Sequence, residues 1–234
     1  IGEHQPPWER PNMGLRPRDL YDSEYLIQST SYAFDETTRH FWNNDAENPY
    51  DFREDKPFHW FRTDVVGGRS LLWARQSYRW SDLDFEANKR EGIAIDWPIR
   101  YRDIAPWYSY VERVIGVSGD AQGLPELPDG EFQKPMEMNV VEKHVAKKIS
   151  NAFPGRKMFI GRVATLTEPL HGRAPCHYCG PCHRGCSGGS YFSSLSSTLP
   201  AAESTGNLSL MANSLVESLD LPASEELGLK LCWR

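Results

Sequence analysis

Two stretches of the chain place apolar side chains at helical spacing. Residues 103–115 run from Asp103, a good N-cap, to Gly116, a good stop, and one apolar face predicts a helix packed on a core. Residues 138–152 predict another helix of the same kind. The apolar positions are Ile104, Trp107, Tyr108, Val111 and Ile115 in the first helix, and Val141, Val145 and Ile149 in the second.

Shorter patterns predict further elements. Ser81 and Gly92 bracket a short helix, with acidic residues in its first turn and basic residues in its last. Residues 156–168 predict one or two strands, and residues 208–216 predict a strand introduced by a turn. A short helix is expected at residues 199–202. Proline-rich residues 1–57 have little periodicity, and we expect them to wrap over the rest.

The formal net charge of −6 over 234 residues and a pI near 5.7 give no global basic field. This balance argues against a nucleic-acid partner. No apolar run approaches the roughly 20 residues that a membrane-spanning helix needs, so no span is expected. We also expect solvent to face at least two of Arg69, Arg75 and Arg79.

A pair of glycines follows an apolar lead-in at Val65 and Val66. Gly67 and Gly68 lack Cβ atoms and let the backbone approach a flat or anionic ligand closely. The N–H groups that follow, and the hydroxyl of Ser70, can donate to a phosphate or ring oxygen. An ordinary turn is the alternative interpretation.

Four of the five cysteines lie within eleven residues, spaced C-x2-C-x2-C-x3-C, at Cys176, Cys179, Cys182 and Cys186. Thiolates at such short steps converge on a metal or cluster, which we favour over two strained disulfides. Iron–sulfur ligation, a zinc site that includes His177 or His183, and no metal all stay open. Cys232 has no assigned role.

Three stretches in order carry a family resemblance: Arg62-x-x-Val-Val-Gly-Gly-Arg-Ser-x-x-Trp73, Asp96-Trp-Pro-Ile-x-Tyr-x-Asp-Ile-Ala-Pro-Trp-Tyr108, and the cysteine loop with the Ser- and Leu-Pro-rich residues after it. Together they resemble the glucose–methanol–choline (GMC) oxidoreductases, in the branch of gluconate and glucoside dehydrogenases and pyranose oxidase. The resemblance implies that the diglycine turn lies against FAD. The implied cofactor-binding residues are Arg62, Gly67, Gly68, Arg69, Ser70, Trp73 and Val216.

The chain also departs from the family pattern. It has no G-x-G-x-x-G unit to seat the FAD diphosphate. None of its seven histidines stands in a context that matches the catalytic base, so no catalytic residue is assigned. Leu72 occupies the place where some relatives tether flavin through histidine, which implies non-covalent FAD. The resemblance therefore implies an internal piece of a flavoprotein, inactive by itself.

The implied reaction is oxidation of a sugar or polyol CH–OH group, with hydride passing to flavin N5. Some dehydrogenases of this branch carry a cysteine cluster here, and the first, third and fourth cysteines fit their spacing best. A [3Fe–4S] or [4Fe–4S] centre would then pass electrons to a cytochrome or small-subunit partner, with zinc as the alternative. The competing hypothesis is a non-enzymatic metal-stabilised or electron-transfer module with only ancestral similarity.

These interpretations predict a loop-rich α+β or α/β chain, with part of an FAD-binding domain and parts of a substrate-binding cap. Five segments are expected along it. They are a wrapping segment (1–57), a flavin-contacting segment (58–92), a helical and strand segment (93–168), the cysteine-rich loop (169–200) and a return strand to the FAD domain with the end of the chain (201–234).

Overall fold

The computed structural model describes residues 7–9, 12, 13, 15, 17–180, 182–220 and 230–233 of the chain. It divides into two compact units, Ile1–Leu199 and Pro200–Arg234. Five α-helices are described: α1 (Asp82–Phe85), α2 (Ala87–Glu91), α3 (Tyr101–Ile115), α4 (Val140–Ala152) and α5 (Thr198–Glu203). The described strands are β1 (Val216–Asp220) and β2 (Lys230–Trp233), which pair antiparallel.

Helix caps explain where the helices begin and end. Ser81 accepts the backbone N–H of Leu83 and starts α1, and Gly92 ends α2 in a left-handed conformation. The single helix predicted over 81–92 is broken at Glu86 into two. Helix α3 begins two residues earlier than predicted, and Asp103, its third residue, accepts the backbone N–H of Arg100.

The predicted core face of α3 is buried only in part, with Ile104, Tyr108 and Ile115 half-buried. Trp107 and Val111 are exposed, and the buried residue of the helix is Glu112. The reason is electrostatic, because Arg79 lies buried against this helix and needs an anionic partner. Helix α4 forms as predicted, but Val141 and Val145 are exposed too.

Residues 20–42 contain an aromatic core. Phe34 packs edge-on against Trp42 with ring centroids 5.8 Å apart, and Trp42 packs on Phe61 at 5.5 Å. Leu20 and Ala33 complete the buried cluster, and Leu72 packs against it. The proline-rich beginning of the chain is thus followed by residues that share a core with the segment around the diglycine turn.

The centre of the first unit is the segment 162–166, in which every residue except the half-buried Val163 is buried. Its backbone bonds to three other parts of the chain: Ala164 N–H donates to the Arg75 carbonyl (2.8 Å), Ser118 N–H to the Val163 carbonyl (2.9 Å), and Phe192 N–H to the Ala164 carbonyl (3.0 Å). The predicted strand over 156–168 is therefore replaced by isolated bridges. The strand predicted over 208–216 begins only at Val216.

Candidate functional site

The diglycine turn has the conformation that only glycine adopts easily. Gly67 and Gly68 have φ angles of +98° and +51°. A Cβ on Gly67 would lie 3.0 Å from the side chain of Leu195, whereas a Cβ on Gly68 would meet nothing within 4 Å. A side chain at Gly67 would therefore press on Leu195, while the backbone at Gly68 faces open space.

The residues after the turn form a 3-10 helix, Gly68–Leu71. The hydroxyl of Ser70 donates to the Gly67 carbonyl (2.6 Å) and accepts the backbone N–H of Ser194 (2.9 Å). The hydroxyl of Ser70 therefore donates its proton to a hydrogen bond within the turn. Arg69 is exposed, and its guanidinium donates to the Phe61 carbonyl.

Arg62 is held by neighbours from the preceding segment. Its guanidinium pairs with Asp45 at 2.8 Å and lies over the ring of Tyr50, 4.8 Å from the centroid. Both ionic side chains are largely buried, at 16 % and 18 % exposure. These contacts fix the approach of the chain to the turn.

The other two predicted cofactor-binding residues lie in different units. Trp73 is half-buried and packs edge-on against Phe192, with centroids 6.1 Å apart. Val216 is exposed at the start of β1 in the second unit. The first unit therefore brings together Gly67, Gly68, Ser70 and Trp73 with the residues that follow the cysteine loop.

The four clustered cysteines line one pocket, together with His177, Ser190 and Tyr191. All four thiols are free. The loop is anchored at its base because Cys176 N–H donates to the Leu166 carbonyl (2.8 Å) and Ala174 N–H to the Gly188 carbonyl (3.1 Å). Tyr178 N–H donates to the Cys176 sulfur at 3.4 Å, which curls the loop over the pocket. The side chain of Cys232 lies outside the described residues.

The thiols of the loop have different electrostatic surroundings. Burial raises the pKa of Cys182, and the charges of Cys176, Cys186 and Cys179 raise it further. Burial also acts to raise the pKa of Cys186, but hydrogen bonds from the Ser190 hydroxyl and nearby backbone N–H groups outweigh it, and the pKa is lowered. Cys186 thus lies where a thiolate is favoured.

The donor set of the pocket, four thiols, is of the type that holds a zinc ion or an iron–sulfur centre. Within the described part of the chain, no three His, Cys, Asp or Glu side chains are placed to hold one metal ion. A tetrahedral zinc with Zn–S bonds of about 2.3 Å needs sulfurs roughly 3.8 Å apart. An iron–sulfur cluster instead takes thiolates spread around a larger body. The four thiols around this pocket supply the ligand type that either group needs.

His183, one of the two histidines considered as zinc ligands, faces a carboxylate. Its Nε2 lies 3.3 Å from Asp35 Oδ2. Burial opposes ionisation of Asp35, but hydrogen bonds from His183 and Thr37 lower its pKa to about 2. The pair ties the cysteine loop to the aromatic core of residues 20–42.

The expectation that at least two of Arg69, Arg75 and Arg79 face solvent is wrong, because only Arg69 is exposed. Arg75 and Arg79 are 2 % and 6 % exposed, while the neighbouring Tyr78 and Trp80 are 44 % and 49 % exposed. The usual pattern is inverted here, with charges inside and aromatic rings outside. The sequence signal for this arrangement is the alternation of side chains along residues 75–80. It shows that Arg75 and Arg79 share one face and that Tyr78 and Trp80 lie on the other, but it does not show which face is buried.

Comparisons with known proteins give distant relatives over part of the chain. A 2-methyl-1,2-propanediol dehydrogenase of Mycolicibacterium austroafricanum is 29 % identical over 129 residues, 51 % of this chain and 23 % of that protein. A 6'''-hydroxyparomomycin C oxidase of Streptomyces lividus is 31 % identical over 121 residues, 49 % of this chain and 21 % of that protein. No family model matches the chain.

A third relative is a paromamine 6'-oxidase of Streptomyces fradiae, 30 % identical over 64 residues, 26 % of this chain and 12 % of that protein. The chain thus spans less than a quarter of each of these relatives. All three are named as dehydrogenases or oxidases, which supports an oxidoreductase at the level of general class. Among the described residues, no helix is long and apolar enough to cross a bilayer.

Proposed function

We propose that the chain is part of an FAD-dependent oxidoreductase of the GMC type, which oxidises a CH–OH group of a sugar or polyol. The observation that carries this proposal is the direct packing of the diglycine turn on the residues that follow the cysteine loop. Ser70 bonds Ser194, Gly67 packs on Leu195, and Trp73 packs on Phe192. The turn that contacts the flavin and the cysteine centre that passes electrons on would then belong to one packed region.

The open backbone at Gly68 would lie against FAD. A side chain there would fill the space beside the turn, and Arg69 next to it offers an exposed cation to the anionic parts of the cofactor. When bound, FAD supplies the hydride acceptor for alcohol oxidation. The loop-rich fold would be part of the FAD-binding domain with parts of a substrate-binding cap.

The cysteine pocket would hold a [3Fe–4S] or [4Fe–4S] centre. Its four thiols line a common space, and Cys186 receives hydrogen bonds that favour the thiolate. Such a centre supplies one-electron transfer, which suits a dehydrogenase that passes electrons to a cytochrome or small-subunit partner. The names of the relatives agree with alcohol or sugar-like substrates, since they are a 2-methyl-1,2-propanediol dehydrogenase, a 6'''-hydroxyparomomycin C oxidase and a paromamine 6'-oxidase.

The first experiment measures iron and acid-labile sulfide in the 234-residue chain after anaerobic reconstitution with Fe²⁺ and sulfide. We expect near-stoichiometric loading, and loss of loading in Cys182→Ser. Ser187→Ala, a change at an exposed position of the same loop, is the control and should load normally. A colourless chain that instead binds stoichiometric zinc would overturn the electron-transfer part of the proposal.

The second experiment measures FAD binding by fluorescence quenching. Gly68→Val fills the space beside the turn and should weaken binding at least tenfold, by about 1.4 kcal/mol or more. Gly92→Val makes the same change at another left-handed glycine with open space around it. Equal FAD affinity in the two variants, or no FAD binding by the wild-type chain in the presence of an intact cysteine centre, would contradict a flavin bed at this turn.

A further inference from the structure

Arg75 is a buried cation that lies between the diglycine turn and the cysteine loop. Its φ angle is +61°, unusual for a residue other than glycine, and its side chain is almost completely inaccessible. The guanidinium donates to the carbonyl oxygens of Phe192 (2.8 Å), Ser70 (3.0 Å) and Trp73. Its N–H groups thus bond to the segment around the diglycine turn and to the residues that follow the cysteine loop.

No carboxylate pairs with Arg75 among the described residues. Two other deeply buried arginines differ in this respect, since Arg79 pairs with Glu112 at 2.6 Å and Arg162 with Asp129 at 2.7 Å. Burial lowers the pKa of Arg75, but an arginine side chain keeps its proton in proteins. Arg75 therefore places an uncompensated positive charge inside the first unit.

The groups near this charge belong to the cysteine pocket. The guanidinium carbon lies 3.7 Å from the centroid of the Tyr191 ring, and Tyr191 lines the pocket with the four thiols. Carbonyl oxygens satisfy the N–H groups of Arg75, but they supply no net negative charge.

We infer that Arg75 is the fixed counter-charge of the cysteine pocket, a positioning residue that stabilises negative charge on the centre held by the loop. The inference rests on the proposed function, because thiolates acquire a lasting charge only when they hold such a centre. One-electron reduction adds one negative charge to the centre, and no proton moves on Arg75. The cation therefore favours the reduced state and raises the reduction potential.

The test uses the 234-residue chain reconstituted with Fe²⁺ and sulfide and titrated anaerobically with a reductant. At a fixed potential, Arg75→Met and Arg75→Gln should lower the ratio of reduced to oxidised centre on the order of tenfold, since a unit charge acts through an effective dielectric of about 20. Arg75→Lys keeps the charge and should stay within about threefold of the wild type.

Arg173→Met is the matched control. Arg173 is also buried, has no carboxylate partner among the described residues and donates to the carbonyl oxygen of Ile115 (2.8 Å). Burial lowers its pKa, as it does that of Arg75. This variant loses a comparable buried cation at the base of the same loop, and its reduced-to-oxidised ratio should match the wild type.

The remaining outcomes separate this inference from the proposed function. Equal effects of Arg75→Lys and Arg75→Met, or of Arg173→Met and Arg75→Met, would overturn the counter-charge role. Unfolding of both neutral variants without a centre would make Arg75 a structural residue and overturn it too. A wild-type chain that takes up no iron and sulfide would overturn the proposed electron exit itself.

Discussion

Arg79 and Glu112 form a buried, bidentate ion pair between the segment after the diglycine turn and helix α3. The Nε–Oε1 distance is 2.8 Å and the Nη2–Oε2 distance is 2.6 Å, with both side chains about 95 % buried, at 5 % and 6 % exposure. Tyr101 and Ser109 accept the other guanidinium N–H groups. The hydrogen bonds that Arg79 donates to Glu112 are the largest cause that raises the pKa of Arg79.

Neutralising this pair should strongly destabilise the first unit. Glu112→Gln leaves the Arg79 charge buried without an anion, and we expect the free energy of unfolding to fall by about 3–5 kcal/mol in urea denaturation. The control is Asp55→Asn in the exposed Arg53–Asp55 pair, which should cost less than about 0.5 kcal/mol. Similar losses in both variants would contradict a buried, essential pair.

Gly116 should tolerate alanine far less well than Gly92, although both end helices with positive φ. A Cβ on Gly116 would lie 2.1 Å from Leu166, in the buried central segment, whereas a Cβ on Gly92 would meet nothing within 4 Å. Gly92→Ala should cost about 1 kcal/mol of backbone strain. Gly116→Ala adds about 1–3 kcal/mol of overpacking, and urea denaturation of the two variants measures the difference. Equal costs would show that Leu166 moves away freely.

The helix boundaries were predictable because their signals are local. Ser81 and Gly92 bracket their helices through contacts within three or four residues, and the predictions of α3 and α4 are confirmed to within two residues. Such caps need no knowledge of the rest of the chain.

The buried arginines were not predictable, because their partners come from far along the chain. Arg79 meets Glu112 from 33 residues away, and Arg75 meets the Phe192 carbonyl from 117 residues away. The predicted strand at 156–168 failed for a related reason. Its residues bond in turn to three separate segments of the chain. No neighbouring segment therefore pairs with it over enough residues to form a β-sheet. The four cysteines were visible from their spacing, but the cation beside them was not.

Asp35 should make the stability of the first unit depend on pH in the acid range. Burial opposes its ionisation, but His183 and Thr37 lower its folded-state pKa from 3.8 to about 2. Its contribution is therefore complete above pH 3.8 and is lost as the pH falls towards 2. Because 39 % of the side chain is exposed, solvent screens these interactions, and we expect about 1 kcal/mol.

Asp35→Asn should remove this part of the acid dependence and lower stability at neutral pH by about 1 kcal/mol, as measured by urea denaturation at a series of pH values. The exposed Asp51→Asn is the control, and its neutral-pH stability should stay within about 0.5 kcal/mol of the wild type. If the free energy of unfolding of Asp35→Asn falls with pH below 3.8 as it does in the wild type, groups other than Asp35 cause the acid sensitivity.

Ser70 should matter for the fold before any cofactor binds. Its hydroxyl joins the Gly67 carbonyl to the N–H of Ser194, so Ser70→Ala leaves both groups without this partner. We expect a loss of about 1–3 kcal/mol in the flavin-free chain by urea denaturation. Ser150→Ala, which removes an exposed local bond in α4, should change stability by less than about 0.5 kcal/mol. If Ser70→Ala has wild-type stability without flavin and instead weakens FAD binding alone, the hydroxyl serves the ligand. The link between the diglycine turn and the residues after the cysteine loop would then rest on the packing of Leu195 and Phe192.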